Sequence, residues 1–424
     1  MRDTHLAGML ALCAVLATFS AQAQRDNRSM ETGVTNVINS DDADREHVEN
    51  TLKDNAPQTT GDNGLPRFAV VGKERQFYLG IGAQFLGEGV FTWGDDMPSA
   101  LDFTPSSLTP STPGNRSNLQ FAWQSSSVYL NFVAMPGTDN KIGLFFKGKF
   151  NADKTFKCSH FYAKYRGLTV GYTKSVFSDG ASVPMTIDGE GPDGFADMTV
   201  FTANWQQKFT DHISGAIGID APVVSMTTGN SAVEINQRIP AVPMYLQYAW
   251  DSGSHIRVSG IVRPIQYRDA AEGKNSAMVG GGVQLSGVTH IAGGLSASFN
   301  GVYGKGIANY LQDDNDFQLD AVPLLKAGDM AAVKSFGATA GLTYVFSPKV
   351  SSNIVYSHLT NWLPDDSAAS GSLYRYGDYV AANVIYSFNK FLSAGVEYDY
   401  GRRKSFDGEG LHANRLQCQL AVTF

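Results

Sequence analysis

Alternation of apolar and polar side chains is the dominant pattern along this chain. It is clearest in residues 415–424, where apolar side chains occupy every second position: Leu416, Cys418, Leu420, Val422 and Phe424. The same two-residue period recurs in residues 142–147, 295–300 and 380–387. A period of two places successive side chains on opposite faces of a β-strand, whereas a helix needs a period near 3.6. The sequence therefore predicts an all-β protein.

The residues of the second face indicate which kind of all-β protein this is. The positions between the apolar residues hold mainly Ser, Thr, Asn, Gln, Gly, Lys and Arg. A soluble β-sandwich also alternates, but this composition suits a transmembrane barrel with lipid outside and water inside. We expect an antiparallel barrel of about 16 strands, an even number that is typical of bacterial single-chain barrels. The strands begin near residues 77, 120, 141, 155, 168, 198, 213, 243, 255, 277, 294, 334, 350, 373, 391 and 411.

The connectors between the predicted strands alternate between tight and long. The tight ones are residues 136–139, 166–167, 210–211, 252–254, 347–349 and 389–390, and the long ones include 95–117, 176–196, 221–242 and 305–333. Outer-membrane barrels have short periplasmic turns and longer extracellular loops, so the two sets predict the orientation of the barrel. Aromatic residues beside the tight turns or at the end of the chain predict one interfacial girdle: Phe209, Phe346, Phe388, Phe391 and Phe424.

The first residues have the pattern of a secretory signal peptide. Arg2 precedes an apolar run over residues 6–19, and the small-residue site Ala21-Gln22-Ala23 follows it. Residues 1–23 are therefore predicted to be removed on export. No later stretch is apolar over the 18 or more residues typical of a membrane-spanning helix, so a membrane-embedded mature chain must form a closed barrel.

A polar acidic segment separates the signal peptide from the barrel. Residues 24–66 contain nine acidic and four basic side chains. Residues 41–53 have a helix start signal and one apolar turn, so the segment is either a short helix or coiled coil, or a flexible periplasmic tail. Residues 67–424 are predicted to form the outer-membrane barrel.

Composition narrows the class of protein further. Charged residues make up 17% of the chain, aromatic residues 11%, and glycine occurs 44 times. A typical soluble domain has roughly 25% charged residues. The mean hydropathy of −0.17 and the pI near 5.6 exclude a polytopic helical membrane protein and a basic nucleic-acid-binding protein.

Catalytic and metal-binding motifs are not found in the sequence. The eight histidines form no HExxH motif and no ligand pair on one helix face, and no GxSxG nucleophile elbow occurs. Asp211 and His212 are adjacent, but they lie in a tight turn, which favours a solvated pair. We therefore expect no enzymatic activity, no catalytic residue, no metal site and no cofactor.

Cationic side chains recur on the polar face of the predicted strands: Lys147, Lys149, Lys157, Arg257 and Arg263. On the lipid face at mid-depth each would cost roughly 2–4 kcal/mol, so we expect them to point into the lumen. Fixed positive charge along a pore favours anions, which predicts an anion pathway. The alternative is that they pair with lumen acids such as Glu397 and Asp399 and only brace the wall.

Three segments carry a resemblance to a known family. They are Ile187-Asp188-Gly189-Glu190-Gly191-Pro192; Gly304-Lys305-Gly306 with Asn309-Tyr310; and the closing run from Gly395 to Arg403 with Arg415-Leu416-Gln417 before Phe424. With these segments the sequence resembles the DcaP-like family of trimeric outer-membrane porins over most of residues 67–424. The resemblance implies a 16-stranded barrel, a homotrimer, and uptake of small, often anionic solutes such as dicarboxylates. It also implies that the loop bearing Asp188 and Glu190 folds inward and narrows the pore.

The sequence thus predicts a porin in the outer membrane of a Gram-negative bacterium. Its expected partners are two further copies of the chain, outer-membrane lipid and lipopolysaccharide, and small anionic solutes, without nucleic acid. Two alternatives stay open: a non-selective general diffusion porin, and a structural or adhesin barrel with a closed lumen.

Overall fold

A computed structural model describes residues 36–38, 45–57, 68–251, 253–315 and 317–424. The predicted signal peptide lies outside the described residues. The described residues form one α-helix, α1 (Arg45–Asn55), and 22 strands. The strands are β1 (Asn36–Ile38), β2 (Phe68–Val71), β3 (Phe77–Gly94), β4 (Ser117–Ala122), β5 (Ser127–Ala134), β6 (Ile142–Phe150), β7 (Phe156–Tyr165), β8 (Leu168–Lys174), β9 (Thr199–Lys208), β10 (Ile213–Asp220), β11 (Ala232–Glu234), β12 (Val242–Ala249), β13 (His255–Asp269), β14 (Asn275–Ala292), β15 (Leu295–Lys305), β16 (Ala321–Pro323), β17 (Met330–Ala332), β18 (Lys334–Ser347), β19 (Val350–Trp362), β20 (Tyr374–Ser387), β21 (Leu392–Ser405) and β22 (Gly410–Thr423).

The sheet closes on itself through its first and last long strands. Strand β22 pairs with the second half of β3, from Thr423 opposite Gln84 to Ala413 opposite Gly94. Strands β4 and β5 both pair with β3, one after the other, and so act as a single interrupted strand. Sequential antiparallel pairing completes a closed barrel of 16 strands, as the alternation predicted. Closure leaves no strand edge with unpaired backbone N–H and C=O groups, for which a bilayer offers no hydrogen-bond partners.

The strands have one exposed apolar face and one buried face. On β5, for example, Val128 and Leu130 are exposed, whereas Tyr129, Asn131 and Val133 are buried. Exposed Leu, Val, Ile, Phe and Trp side chains on most other strands continue the same outer surface. An outward apolar band with an inward polar face is the arrangement of a transmembrane barrel.

The connectors divide into two sets at the two ends of the barrel. Tight turns include residues 166–167, 209–212, 293–294, 348–349 and 388–391, and the long connectors include 95–116, 175–198, 221–241 and 306–333. The long connectors carry apolar residues into buried clusters with inward strand residues: Phe177, Ile307, Tyr310 and Leu311 pack with Val302 of β15 and Leu359 of β19. The part of the barrel near the long connectors is therefore packed with protein rather than fully open.

Two short elements lie at the end of the barrel that carries the tight turns. Strand β2 pairs with β3 from Phe68 opposite Ile81 to Val71 opposite Tyr78, continuing the line of β22 past the end of the chain. Helix α1 packs against β3, β5 and β6. Within the described ranges, no helix has both the length and the apolar character required to cross a bilayer.

Candidate functional site

The connector 175–198 joins neighbouring strands β8 and β9, yet its contacts are with a different part of the wall. The backbone N–H groups of Ile187 and Asp188 donate to Oε1 of Glu397 on β21, at 2.8 and 2.6 Å. Further along, the N–H of Gly194 donates to Oγ of Ser357 on β19, at 2.7 Å. The connector therefore extends from β8 and β9 to the inward face of β19 and β21.

Two glycines permit this close approach. A Cβ atom at Gly395 would lie 2.5 Å from Cδ1 of Ile187, and one at Gly194 would lie 2.2 Å from the carbonyl oxygen of His358. Real Cβ atoms are not found at such distances from other heavy atoms. The trace of this contact in the sequence is therefore one glycine on the strand and one on the connector. The alternation of apolar and polar residues does not distinguish these two glycines from others.

Asp188 joins the connector 175–198 to the connector 95–116. Its Oδ1 accepts from the N–H of Phe103 at 2.8 Å, and its Oδ2 accepts from the hydroxyl of Tyr379 on β20 at 3.2 Å. Burial raises the pKa of the Asp188 carboxyl to about 8; Arg415 opposes this rise, and Glu397 adds to it. A carboxyl with this pKa is mostly uncharged at neutral pH.

A second carboxyl, Asp313, joins the connector 306–333 to the same group of segments. Its Oδ1 accepts from the Ser106 hydroxyl and its Oδ2 from the Tyr374 hydroxyl, each at 2.6 Å. Burial raises the pKa of Asp313 to about 6. The side chain of Gln312 donates to the backbone oxygen of Glu190 at 3.1 Å. Three long connectors are therefore held together inside the barrel by buried polar contacts.

The Glu190 carboxyl is also shielded from water. Burial raises its pKa well above the usual range, and the nearby carboxyls of Asp102, Asp188 and Asp313 raise it further. Burial and neighbouring carboxyls therefore raise the pKa of both predicted acidic residues of the connector, and both shifts favour the protonated form.

The three predicted lysines lie together on the inward face of one hairpin. Lys149 on β6 is directly opposite Lys157 on β7, and Lys147 is opposite His160. Lys149 and Lys157 are exposed, and Lys147 is half-buried. None of the three forms an ion pair with a carboxylate in the part of the chain that the structure describes. The described carboxylates therefore do not neutralise these three charges by direct contact.

The two predicted arginines lie on the inward face of β13 but are buried and paired. Arg257 is 3.4 Å from Oδ1 of Asp179 and donates to Oε1 of Gln247 at 2.6 Å. Arg263 is 2.9 Å from Oδ1 of Asp320 and donates to the backbone oxygen of Gly306 at 3.1 Å. These pairs fix the connectors 175–198 and 306–333 to β13.

The acids that pair with the arginines were not identified from the sequence. Asp179 and Asp320 lie in long connectors, and the chain separation from their partners is 78 and 57 residues. No local spacing could link them. Asp179 lies between Ser178 and Gly180, a pattern that is common in turns of every kind, and Asp320 lies between Leu319 and Ala321, which gives no signal. Among the described residues, no group of His, Cys, Asp and Glu has the arrangement of a metal site.

Comparison with known proteins gives structural matches alone. No sequence-family profile matches the chain, and no curated protein matches it in sequence. The outer-membrane channel DcaP of Acinetobacter baumannii is similar in structure, with a TM-score of 0.72 and 18% sequence identity, over 82% of this chain and 97% of that chain.

More distant structures have the same general architecture. An anion-selective porin from Comamonas acidovorans matches with a TM-score of 0.52 and 7% identity, over 82% of this chain and 100% of that chain. The in-vitro folded OmpT, an outer membrane protein of Vibrio cholerae, matches with a TM-score of 0.52 and 10% identity, over 82% and 98%. Identities this low establish the fold alone. The chain therefore has the 16-stranded fold of the outer-membrane channel DcaP, which is the fold that the resemblance implied.

Proposed function

We propose that this protein is an outer-membrane porin through which small hydrophilic solutes, preferentially dicarboxylate-like anions, diffuse passively. The observation that carries the proposal is a group of three lysines on the inward face of a closed barrel, Lys147, Lys149 and Lys157, which form no ion pair with any carboxylate of the described residues. A ring or ladder of fixed positive charge attracts anions and repels cations. The anion-selective porin from Comamonas acidovorans, which shares the fold, supports this choice.

The lysines, rather than the arginines, carry the proposed selectivity. Arg257 and Arg263 each face a carboxylate at ion-pair distance, so each pair presents little net charge to the solute. Lys149 and Lys157 are exposed, and no carboxylate in the described part of the chain contacts them. We assign Arg257 and Arg263 to bracing the pore wall and the lysines to attracting the anion.

The connector 175–198, with Asp188 and Glu190, is the proposed constriction loop. Its hydrogen bonds to Glu397 and Ser357 support a position across the interior of the barrel. Protonation of Asp188 and Glu190 would keep this loop from repelling anions, and the raised pKa of both carboxyls supports that state.

The location and assembly belong to the same proposal. The structural relatives named above are outer-membrane proteins, and the exposed apolar face suits a lipid bilayer. We therefore place the mature chain, without residues 1–23, in the outer membrane of a Gram-negative bacterium, in contact with lipid and lipopolysaccharide. A homotrimer is proposed because a trimer form of the similarly folded OmpT exists.

Reversal potentials in planar bilayers test the proposed selectivity. Under a salt gradient the wild-type protein should prefer chloride to potassium, and the triple variant Lys147→Gln, Lys149→Gln, Lys157→Gln should lose most of that preference because three fixed charges are removed. Lys390→Gln, which removes one exposed charge from a tight turn, is the control and should leave the preference unchanged.

The same measurements separate the alternatives. A wild-type reversal potential near zero would indicate a non-selective general diffusion porin. Absence of conductance would indicate a barrel with a closed lumen, as in a structural or adhesin protein. Cation preference, or anion preference that the triple variant retains in full, would overturn the role assigned to the lysines.

A further inference from the structure

Helix α1 is seated inside the end of the barrel that carries the tight turns. Val48 and Leu52 are almost completely buried and pack with Tyr78 of β3 and Val133 of β5, both on the inward face. Ala56, just after the helix, packs on Tyr129, Phe145 and Tyr162, whose rings stack side by side across β5, β6 and β7. The polar segment that precedes the barrel is therefore part of the lumen wall in residues 45–57.

Polar contacts hold the C-terminal end of α1 in one position. The side chain of Asn55 donates to Oδ1 of Asn131 at 2.7 Å, and the Asn131 amide donates to the backbone oxygen of Leu52 at 2.8 Å. The Tyr162 hydroxyl donates to the backbone oxygen of Asn55 at 2.7 Å. The Tyr162 hydroxyl supplies a donor to the terminal carbonyl of Asn55, and Asn131 adds a second donor to the Leu52 carbonyl, which also accepts from the N–H of Ala56 at 3.1 Å. The barrel thus supplies the C-terminal cap of α1.

A glycine on the wall makes room for this helix end. A Cβ atom at Gly143 of β6 would lie 1.9 Å from Oδ1 of Asn55. Because any side chain at this position would displace Asn55, the inward face of β6 is shaped to receive the helix. This complementarity, together with the bonds from Asn55 to Asn131 and from Asn131 to the Leu52 carbonyl, argues for a specific contact rather than incidental packing.

A cavity of about 200 Å³ remains beside the docked helix, at the rim of the barrel. Its lining includes Asp54 and Asn55 of α1 and three cationic side chains, Lys141, Lys164 and Arg166. Lys164 donates to the backbone oxygen of Asp54 at 3.0 Å, so the helix end orients its ammonium group. Among the described residues of this lining, Asp54 is the one acidic side chain against three cationic ones, so they carry an excess of positive charge.

We propose that α1, docked against β3, β5, β6 and β7, makes this mouth of the pore a second constriction, at which Lys141, Lys164 and Arg166 select small carboxylate anions. The inference rests on the proposed pore function and adds a selectivity site at the opposite end of the β6–β7 hairpin from Lys149 and Lys157. The site is incomplete without α1, because the helix both narrows the mouth and positions Lys164.

Two sets of variants of the full chain test the site in planar bilayers. Lys141→Gln with Lys164→Gln should reduce the permeability ratio of succinate to potassium at least several-fold, whereas single-channel conductance in potassium chloride should change little. Leu52→Asp should release α1 by placing a charge in its apolar contact, which should raise conductance and also lower the ratio. Asn50→Asp adds the same charge on the exposed face of α1 and should leave both quantities unchanged.

The outcomes separate this inference from the proposed function. If the wild-type protein does not conduct, the proposed pore function fails, and if it prefers cations, the anion selectivity proposed at both sites fails. If the wild-type protein prefers anions, yet the lysine pair variant and Leu52→Asp both match it in conductance and permeability ratio, the second constriction is ruled out while the pore function stands. A drop in the ratio for the lysine pair variant without any effect of Leu52→Asp would reject the role of α1.

Discussion

At the residue scale, burial rather than sequence position decides which inward charged groups stay exposed. Arg263 and Lys149 both belong to the inward face of a strand, but Arg263 is 2% exposed and paired with Asp320, whereas Lys149 is exposed. A charge that is removed from water needs an opposite charge to offset its desolvation, and such a pair has little long-range field. The lysine remains available to an ion in the lumen.

Asp188 gives a pH dependence that can be measured. Its pKa of about 8 means that the carboxyl is neutral below this pH and negative above it. Raising the pH from 7 to 9 changes the ionised fraction from about one tenth to about nine tenths, which adds negative charge to the proposed constriction loop. We expect anion preference in bilayers to fall over this interval.

Asp188→Asn is the matched variant for this prediction. The amide keeps one acceptor oxygen for the Phe103 N–H and cannot ionise. The decrease in anion preference that is centred near pH 8 should therefore disappear in this variant. An equal fall in the variant would assign the pH dependence to other groups, such as the lumen lysines.

At the element scale, long connectors become part of the barrel interior through a few anchoring side chains. Glu397 of β21 accepts from two backbone N–H groups of the connector 175–198 and from the side chains of Asn383 and Gln417. A carboxylate that accepts several hydrogen bonds at once both orders the connector and satisfies its own buried charge.

Glu397→Leu should therefore loosen the connector 175–198 without opening the barrel. The N–H groups of Ile187 and Asp188 lose their acceptor, at a cost of about 1–3 kcal/mol for each group left unsatisfied. Hydrogen exchange at these two residues should become faster, and a protease added outside should begin to cleave between residues 175 and 198. Glu409→Leu, at an exposed position between β21 and β22, should change neither measurement. Unchanged protection of Ile187 and Asp188 in Glu397→Leu would contradict the anchoring role.

At the scale of the whole molecule, one face of nearly every long strand is apolar and exposed. Ile217 and Ile219 of β10 and Val258 of β13 are more than half exposed. In water such a surface would drive association, but in a bilayer it contacts acyl chains without cost. This accounts for a chain with many apolar and few charged residues that nevertheless has a polar interior.

The proposed homotrimer predicts a specific conductance pattern. Insertion of one trimer should open three equal pores, so that conductance closes in three equal steps at high voltage. The detergent-solubilised protein should have three times the mass of one chain by light scattering. Single closing steps together with the mass of one chain would exclude the trimer.

The alternation of the sequence determined the fold class, the number of strands and the ends where turns and loops lie. Prediction from alternation works because each residue of a strand in a bilayer is either apolar and outward or polar and inward, and this choice depends only on its position in the strand. The lysines at positions 147, 149 and 157 were placed on the inward face by the same reasoning.

Only the tertiary structure decided which connectors meet and which charges are neutralised. Two ion pairs and one hydrogen bond join residues that are far apart in the chain: Arg257–Asp179, Arg263–Asp320 and Asn55–Asn131. An Asp in a connector has the same local pattern whether it faces water or a buried arginine, so no spacing identifies its partner. The sequence by itself therefore determined the barrel, while long-range packing decided what fills it and which inward charges remain exposed.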